Sequence, residues 1–87
     1  MKLRHILLRQ KYEAEDVQRW LAQGRDFSEL AQKHSICSSA KLGGDLGEVR
    51  ISQLDPDFAE AARVLKVGEL SGIIRTRFGH HLILRQS

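Results

Sequence analysis

The chain has 87 residues, of which 14 are lysine or arginine and 11 are aspartate or glutamate, so its formal net charge at pH 7 is +3. A chain this short buries only about 60–65% of the surface that it exposes when unfolded, and we expect one small domain, residues 1–87. The 41% of hydrophobic and 29% of charged residues are ordinary for a globular protein and argue against a disordered chain.

Simple counts also argue against three other classes of protein. The longest aliphatic run, Ile6–Leu8, is far too short to span a bilayer. The only cysteine, Cys37, can form neither an intrachain disulfide nor a cysteine-rich zinc site. The basic residues are dispersed along the chain, whereas a nucleic-acid-binding face clusters them. We therefore expect no membrane span and no nucleic-acid partner.

Apolar side chains occupy both faces of the first predicted strand, residues 2–9. Because side chains alternate along a strand, Leu3 and Leu7 share one face with His5, and Ile6 lies on the other face. A strand that is apolar on both faces is typical of the covered centre of a sheet.

Two helices are predicted next. Acidic residues from Glu13 onward favour the start of the first helix, and Gly24 ends it. The first helix has an apolar stripe with the three-and-four spacing of one helix face, formed by Ala14, Val17, Trp20 and Leu21. Asp26 and Glu29 have the spacing of a capping box, so a second helix begins there and ends near His34.

Regular periodicity is lost over residues 35–47, which predict a long loop of the kind that is often functional. The glycine-rich run Gly43–Gly47 resembles a phosphate-binding loop in composition. It lacks the following lysine and hydroxyl residue and the helix start of such loops, so a tight turn into a strand is the better interpretation. A short strand is predicted at residues 48–50.

The last third of the chain predicts a helix and a hairpin. Asp55 can cap a helix whose first turn contains Pro56. The inward side of this helix is formed by Phe58, Ala61, Ala62 and Leu65. Residues 72–76 and 80–85 predict two strands joined by a short turn around Phe78. The order β-α-α-β-α-β-β indicates an α+β fold with helices packed around a mainly antiparallel sheet.

Three side chains could carry chemistry: His5, Cys37 and His81. A single histidine among aliphatic residues is usually a hydrogen-bonded core residue. Two histidines in packed strands, together with a cysteine in a glycine-rich loop, favour a site instead. A thiol hydrolase would need the thiolate to be activated by a histidine, and no sequence cue sets that pairing. A zinc site could recruit these residues and His34, but no short ligand pair is present.

Four ordered motifs, in a match that covers essentially residues 3–86, identify the chain as resembling the parvulin-type peptidyl-prolyl cis–trans isomerases. The motifs are His5-Ile-Leu7, His34-Ser-Ile-Cys-Ser-Ser-Ala-Lys-Leu-Gly-Gly-Asp-Leu-Gly-Glu48, Gln53-Leu-Asp-Pro-Asp-Phe58 and Thr76-Arg-Phe-Gly-His-His81. No single motif is specific, but their order and spacing are. The resemblance implies a four-stranded antiparallel sheet surrounded by helices, which is the order of elements derived above.

The resemblance also assigns roles to particular residues. His5 and His81 match the paired histidines of the family, which lie side by side at the base of the site. Cys37 matches a position that holds cysteine or aspartate, and Thr76 matches a hydroxyl that joins the histidine network. Because the family tolerates aspartate in place of the cysteine, we expect Cys37 to act through polarity and not as a nucleophile.

The resemblance further implies an apolar pocket for the proline ring, formed by Leu46, Leu54, Phe58 and Phe78. Leu54 departs from the family, which usually has methionine there, and a branched chain replaces a more adaptable thioether. Family members that select phosphorylated substrates carry a cluster of basic residues between the first strand and the first helix. Here that connection is only residues 9–12, so the resemblance is to the phosphate-independent members.

The function that these residues predict is rotation about X–Pro bonds in peptides and unfolded proteins, in support of protein folding and without a metal or other cofactor. The alternative is a parvulin-like module of a larger foldase that binds proline-containing segments with little turnover. We expect a monomer. We expect a cytoplasmic protein if the chain is complete, and a periplasmic or other extracytoplasmic one if it is a domain of a larger foldase.

Overall fold

A single antiparallel sheet organises residues 1–87, all of which the computed structural model describes. The strands are β1 (Lys2–Leu8), β2 (Asp45–Glu48), β3 (Ile74–Thr76) and β4 (Gly79–Arg85), and the helices are α1 (Lys11–Ala22), α2 (Phe27–His34) and α3 (Pro56–Arg63). Two short 3-10 helices, Ser38–Leu42 and Ile51–Gln53, flank β2. The predicted α+β fold with a four-stranded sheet is confirmed. None of the helices has the length and apolar character needed to cross a bilayer.

The first and last strands form the centre of the sheet, whose strand order is β2-β1-β4-β3. The pairing of β1 with β4 runs from Leu3 opposite Arg85 to Leu8 opposite His80. This arrangement confirms that β1 is a central strand. It also makes neighbours of two segments that lie at opposite ends of the chain.

Each face of β1 belongs to a different part of the core, as its alternating pattern predicts. Ile6 and Leu8 face α1 and α2, where they pack with Ala14, Val17, Leu30, Ala31 and Leu82. Leu3 faces the other way and packs with Phe58 and Ala62 of α3, with Leu65 just after that helix, and with Ile83 of β4. The sheet is therefore covered on both sides, and the α3 side carries the residues of the candidate site.

The helix starts follow local hydrogen bonding. At α1, Gln10 and Glu13 form a capping box, so the helix begins two residues earlier than Glu13. At α2, Asp26 accepts a hydrogen bond from the backbone N–H of Glu29. The side chain of Glu29 pairs with Lys33 instead of completing the capping box that its spacing predicts.

The predicted strand at residues 48–50 is wrong in its position, because β2 covers Asp45–Glu48 and lies within the segment expected to be a loop. Gly47 adopts φ +67° beside a register shift in the pairing with β1. Glycine and aspartate are poor strand formers, so the residue types of this segment do not predict that it pairs with β1 as a strand. Backbone pairing with β1 overrides them, and the backbone N–H of His5 donates to the carbonyl of Gly44.

Gly44 has a particular steric role in this approach. Its φ is +83°, and a Cβ atom there would overlap the backbone carbonyl of His5. The interpretation of Gly43–Gly47 as a tight turn into a strand is confirmed. Because of this close approach, the loop that carries Cys37 holds the backbone of His5 in place.

Candidate active site

His5 and His81 form the floor of the site and contact each other directly. In the β1–β4 register, His5 lies opposite Ile83 and Leu7 lies opposite His81, so the two histidines are diagonal neighbours on one face. Their Nδ1 atoms are 3.0 Å apart. Their rings stack with an interplanar angle of 20° and are 5% and 3% exposed, respectively. The two histidines thus lie side by side, as the resemblance implies, and at hydrogen-bonding distance.

Thr76 extends this pair into a chain of hydrogen bonds. Its Oγ1 lies 2.7 Å from Nε2 of His81 and accepts a hydrogen bond from the backbone N–H of Phe78 at 3.1 Å. The hydrogen of the Thr76 hydroxyl has an acceptor when it donates to His81 Nε2 and His81 Nδ1–H donates to His5 Nδ1. We assign the tautomers on this basis, which places the proton of His5 on Nε2.

We call the hydrogen-bonded chain Thr76–His81–His5 the relay, and the Nε2 atom of His5 is its unbonded end. It is buried and has no hydrogen-bond partner within the chain. The ring of Phe58 packs edge-on against both histidines, with centroid distances of 5.5 Å to His5 and 5.0 Å to His81. A donor buried beside an aromatic ring without a partner costs free energy, and such a group commonly marks a functional site.

Burial keeps both histidines neutral. The pKa of His5 is lowered to about 4, chiefly by its removal from water and in addition by the nearby His81. Burial also lowers the pKa of His81 to about 4, with an opposing contribution from the carboxylate of Asp55 and a small lowering from His80. Both pKa values respond first to desolvation of the charged form. At neutral pH the pair is thus an uncharged hydrogen-bonding unit.

An apolar cavity of about 290 Å³ opens beside the histidines. Its lining consists of His5, Leu7, Cys37, Leu46, Gln53, Leu54, Asp55, Phe58, Phe78 and His81. All four residues expected to form the proline pocket are therefore in one place, together with both histidines and the cysteine. Thr76 is not part of the lining, because it lies behind His81 and contacts the cavity only through that ring.

Cys37 lies on the cavity wall just before the 3-10 helix Ser38–Leu42. No histidine nitrogen is hydrogen-bonded to its sulfur atom: both nitrogens of His81 are taken, one nitrogen of His5 is taken, and the other has no partner. The Cys–His pairing that a thiol hydrolase requires is thus missing from the geometry.

The zinc alternative also loses its geometric basis. His34 stacks on Trp20, with ring centroids 5.1 Å apart, and lines a separate groove formed with α1. No group of three or more histidine, cysteine, aspartate or glutamate side chains is placed to hold a metal ion. The four residues that this alternative needed do not converge.

Asp55 and Gln53 are cavity residues that sequence reasoning missed. Asp55 was interpreted only as the cap of α3, and it does accept hydrogen bonds from the backbone N–H groups of Asp57 and Phe58. The same side chain also lines the cavity, where it is the one acidic residue. A capping pattern reveals the backbone partner of a side chain but not what its second oxygen faces.

The chain is similar to known proteins over nearly its whole length. A family model described as Rotamase, PPIC-type PPIASE domain, matches residues 5–87. Foldase protein PrsA of Caldanaerobacter subterraneus subsp. tengcongensis is 44% identical over 84 residues, which are 95% of this chain and 28% of PrsA. Peptidyl-prolyl cis-trans isomerase Pin1 of Digitalis lanata is 50% identical over 68 residues, 78% of this chain and 58% of Pin1.

A solved structure agrees with these sequence matches. NmPin, described as the parvuline of Nitrosopumilus maritimus, is 39% identical and superimposes with a TM-score of 0.88 over 100% of this chain and 95% of its own. The chain spans less than two thirds of PrsA and of the plant Pin1 but nearly all of NmPin. The fold, the paired histidines and these matches agree, and the chain belongs to the PPIC-type peptidyl-prolyl cis–trans isomerases, the parvulins.

Proposed function

We propose that the cavity accelerates cis–trans rotation about X–Pro bonds in peptide segments, with residues 1–87 acting as one domain. The observation that carries this proposal is an apolar cavity whose polar floor is a neutral histidine pair. Rotation faces a barrier of about 20 kcal/mol and takes about 10–100 s without a catalyst. The barrier is lost amide resonance, so the reaction needs a shaped environment and no bond cleavage.

The cavity walls would hold the proline ring while the preceding carbonyl rotates. Leu46, Leu54, Phe58 and Phe78 provide apolar surface for the ring. A dry cavity also removes water that would stabilise the planar, more polar amide. An enzyme accelerates such a step only by stabilising the twisted amide more than the planar one.

The polar groups would supply that difference. The Cys37 thiol and the Nε2–H group of His5 border the space through which the carbonyl moves, and neither is bonded to another residue. His81 and Thr76 fix the tautomer and orientation of His5 through the relay. In this scheme Cys37 adjusts polarity, since its sulfur atom lacks the histidine partner that a nucleophile would need.

The substrate class follows from the connection between β1 and α1, which consists only of Arg9 and Gln10. One arginine cannot form the multi-arginine clamp by which proteins select a phosphate group. We therefore propose a preference for uncharged or apolar residues before proline. The test compares matched peptides with leucine, glutamate, serine or phosphoserine before proline, in the presence of EDTA. Faster exchange without any gain from phosphoserine is expected, and a several-fold gain would contradict the assignment.

The setting of the domain is part of the proposal. The 44% identity to a protein named a foldase supports a role on unfolded, proline-containing segments of client proteins. The chain matches only 28% of that protein, which supports a place within a larger foldase, one that we propose acts outside the cytoplasm, whereas the near-complete coverage of NmPin supports a free-standing domain. In either setting we propose that the domain acts as a monomer.

A binding module with little turnover is the second candidate, and Leu54 is the residue that favours it. Leu54 reaches the cavity, where a branched chain fits a proline ring less adaptably than a thioether. The exchange rate of a saturating peptide separates the two functions. Tight binding without acceleration of exchange, together with a gain of acceleration in Leu54→Met, would establish the binding module in place of the enzyme.

A further inference from the structure

Phe78 lines the cavity although its side chain is not packed in the hydrophobic core. It lies in the turn between β3 and β4, and its side chain is 56% exposed although it lines the cavity. The other aromatic wall, Phe58, is 4% exposed and is packed against both histidines. A half-exposed ring in a turn needs an additional contact if it is to form a defined surface.

Arg77 provides that contact. Its guanidinium carbon lies 4.9 Å from the centroid of the Phe78 ring, in the position of a cation–π contact. Its Nε atom lies 3.6 Å from Oδ2 of Asp55. The arginine side chain itself is 76% exposed, so it makes these contacts at the surface, with two residues that line the cavity.

Asp55 is a rigid anchor for this arginine. Its side chain is only 11% exposed, and its other oxygen, Oδ1, accepts hydrogen bonds from the backbone N–H groups of Asp57 and Phe58. The carboxylate is thereby fixed to the first turn of α3, the helix that carries Phe58. Arg77 joins this helix to the β3–β4 turn, so it connects the two walls of the cavity.

We propose that Arg77 is a positioning residue that holds Phe78 as the outer wall of the proline pocket, with Asp55 as its anchor. This inference rests on the proposed function, because the wall is expected to contact the proline ring of the substrate. Arg77 acts through Phe78 and contacts no group of the relay. Its loss should therefore weaken the binding of substrate and leave the rotation step itself unchanged.

The choice of arginine is part of the inference. The flat guanidinium can stack on a ring and still present its Nε–H to a carboxylate, whereas a lysine ammonium is a point charge that cannot do both. Arg77→Lys should therefore restore binding only in part. The contacts are exposed, so salt should weaken the ion pair with Asp55.

The experiment measures KM, kcat and the thermal midpoint for exchange of a leucine–proline peptide by the wild-type chain, Arg77→Ala and Arg77→Lys. Arg63→Ala is the matched control, since Arg63 forms an exposed ion pair with Glu60 on α3 away from the cavity. For Arg77→Ala we expect KM to rise about fivefold, the combined size of one exposed cation–π contact and one ion pair, with kcat unchanged and the midpoint lowered by only a few degrees. Arg63→Ala should leave KM unchanged.

Asp55→Asn tests the anchor, because asparagine keeps an oxygen for the helix N–H groups and loses the charge. It should raise KM in the wild-type background and add nothing further in the Arg77→Ala background. Raised salt should increase KM of the wild-type chain but not of Arg77→Ala. An unchanged KM in Arg77→Ala, or a fall in kcat alone, would overturn the inference.

Failure of the proposed function gives a different result. If the wild-type chain does not accelerate exchange, the dissociation constant of the same peptide replaces KM, and weaker binding by Arg77→Ala still supports the positioning role of Arg77. A wild-type chain that neither binds nor accelerates would overturn both. The aromatic ring of Phe78 should displace the NMR signals of the Arg77 side chain, which reports the stacking without any substrate. We expect this displacement to be lost in Asp55→Asn.

Discussion

The Nδ1 atoms of His5 and His81 lie 3.0 Å apart, although the two residues are separated by 76 positions along the chain. Pairing of the first strand with the last strand brings them together on the α3 side of the sheet. Because two charged imidazoles could not share this buried place, the hydrogen bond requires at least one neutral ring. The pair is thus both a structural tie between the central strands and the polar floor of the cavity.

The first prediction concerns pH. The pKa of each histidine is about 4 in the folded chain and about 6.5 when exposed, so between these values the unfolded chain binds more protons. Stability is therefore complete above pH 6.5 and falls as the pH is lowered towards 4. Thermal midpoints and exchange rates measured from pH 8 to pH 4 should both be level near neutrality and decline together in acid. A rate that titrates near pH 6.5 without loss of stability would contradict the neutral pair.

The second prediction concerns the role of the histidines as scaffold. His81→Ala leaves Thr76 and His5 without their partner and should lower stability by about 1–3 kcal/mol, with activity falling in parallel. His81→Asn and His5→Gln can still form hydrogen bonds and should be affected less. Thermal midpoint and exchange rate are measured on the same variants. Abolished exchange at unchanged stability would show that the histidines act directly on the substrate and are not primarily scaffold.

The third prediction concerns Thr76, whose hydroxyl is buried between His81 and the backbone of Phe78. Thr76→Val keeps the shape of the side chain but removes the hydroxyl, and should cost about 1–3 kcal/mol of stability because it strands two buried polar groups. Thr76→Ser should restore most of the loss. Urea unfolding and exchange rates provide the measurement. A valine variant as stable as the wild-type chain would contradict the hydrogen bonds assigned to Thr76.

The fourth prediction concerns Cys37. If the thiol adjusts polarity, Cys37→Asp should retain substantial kcat, whereas covalent catalysis predicts near-complete loss. Alkylation cannot decide between them, since added bulk blocks the cavity in either case. The fold of the aspartate variant is checked by its thermal midpoint. A large loss of kcat with an intact fold would support a nucleophilic role for Cys37 instead.

A different lesson comes from β2, where the local pattern and the fold disagree. Asp45, Leu46 and Gly47 lack the alternation of a strand, and Gly47 adopts a positive φ beside a register shift. Strand formation there depends on hydrogen bonds with β1, which lies more than 35 residues earlier in the sequence. Period and propensity describe only neighbouring residues, so they placed this strand three residues too late.

Local chemistry in the sequence was sufficient for the order of the elements, the two faces of β1, and the caps at Asp26 and Asp55. These features depend on residues a few positions apart, whose alternation or capping pattern is written in the chain itself. The ordered motifs added the identity of the histidines, the cysteine and the pocket residues. Only the tertiary structure decided the contacts of the hydrogen-bond relay, the neutral state of the histidines and the contact of Arg77 with both Phe78 and Asp55. Each of these depends on distance and burial between segments far apart in sequence, which no local pattern contains.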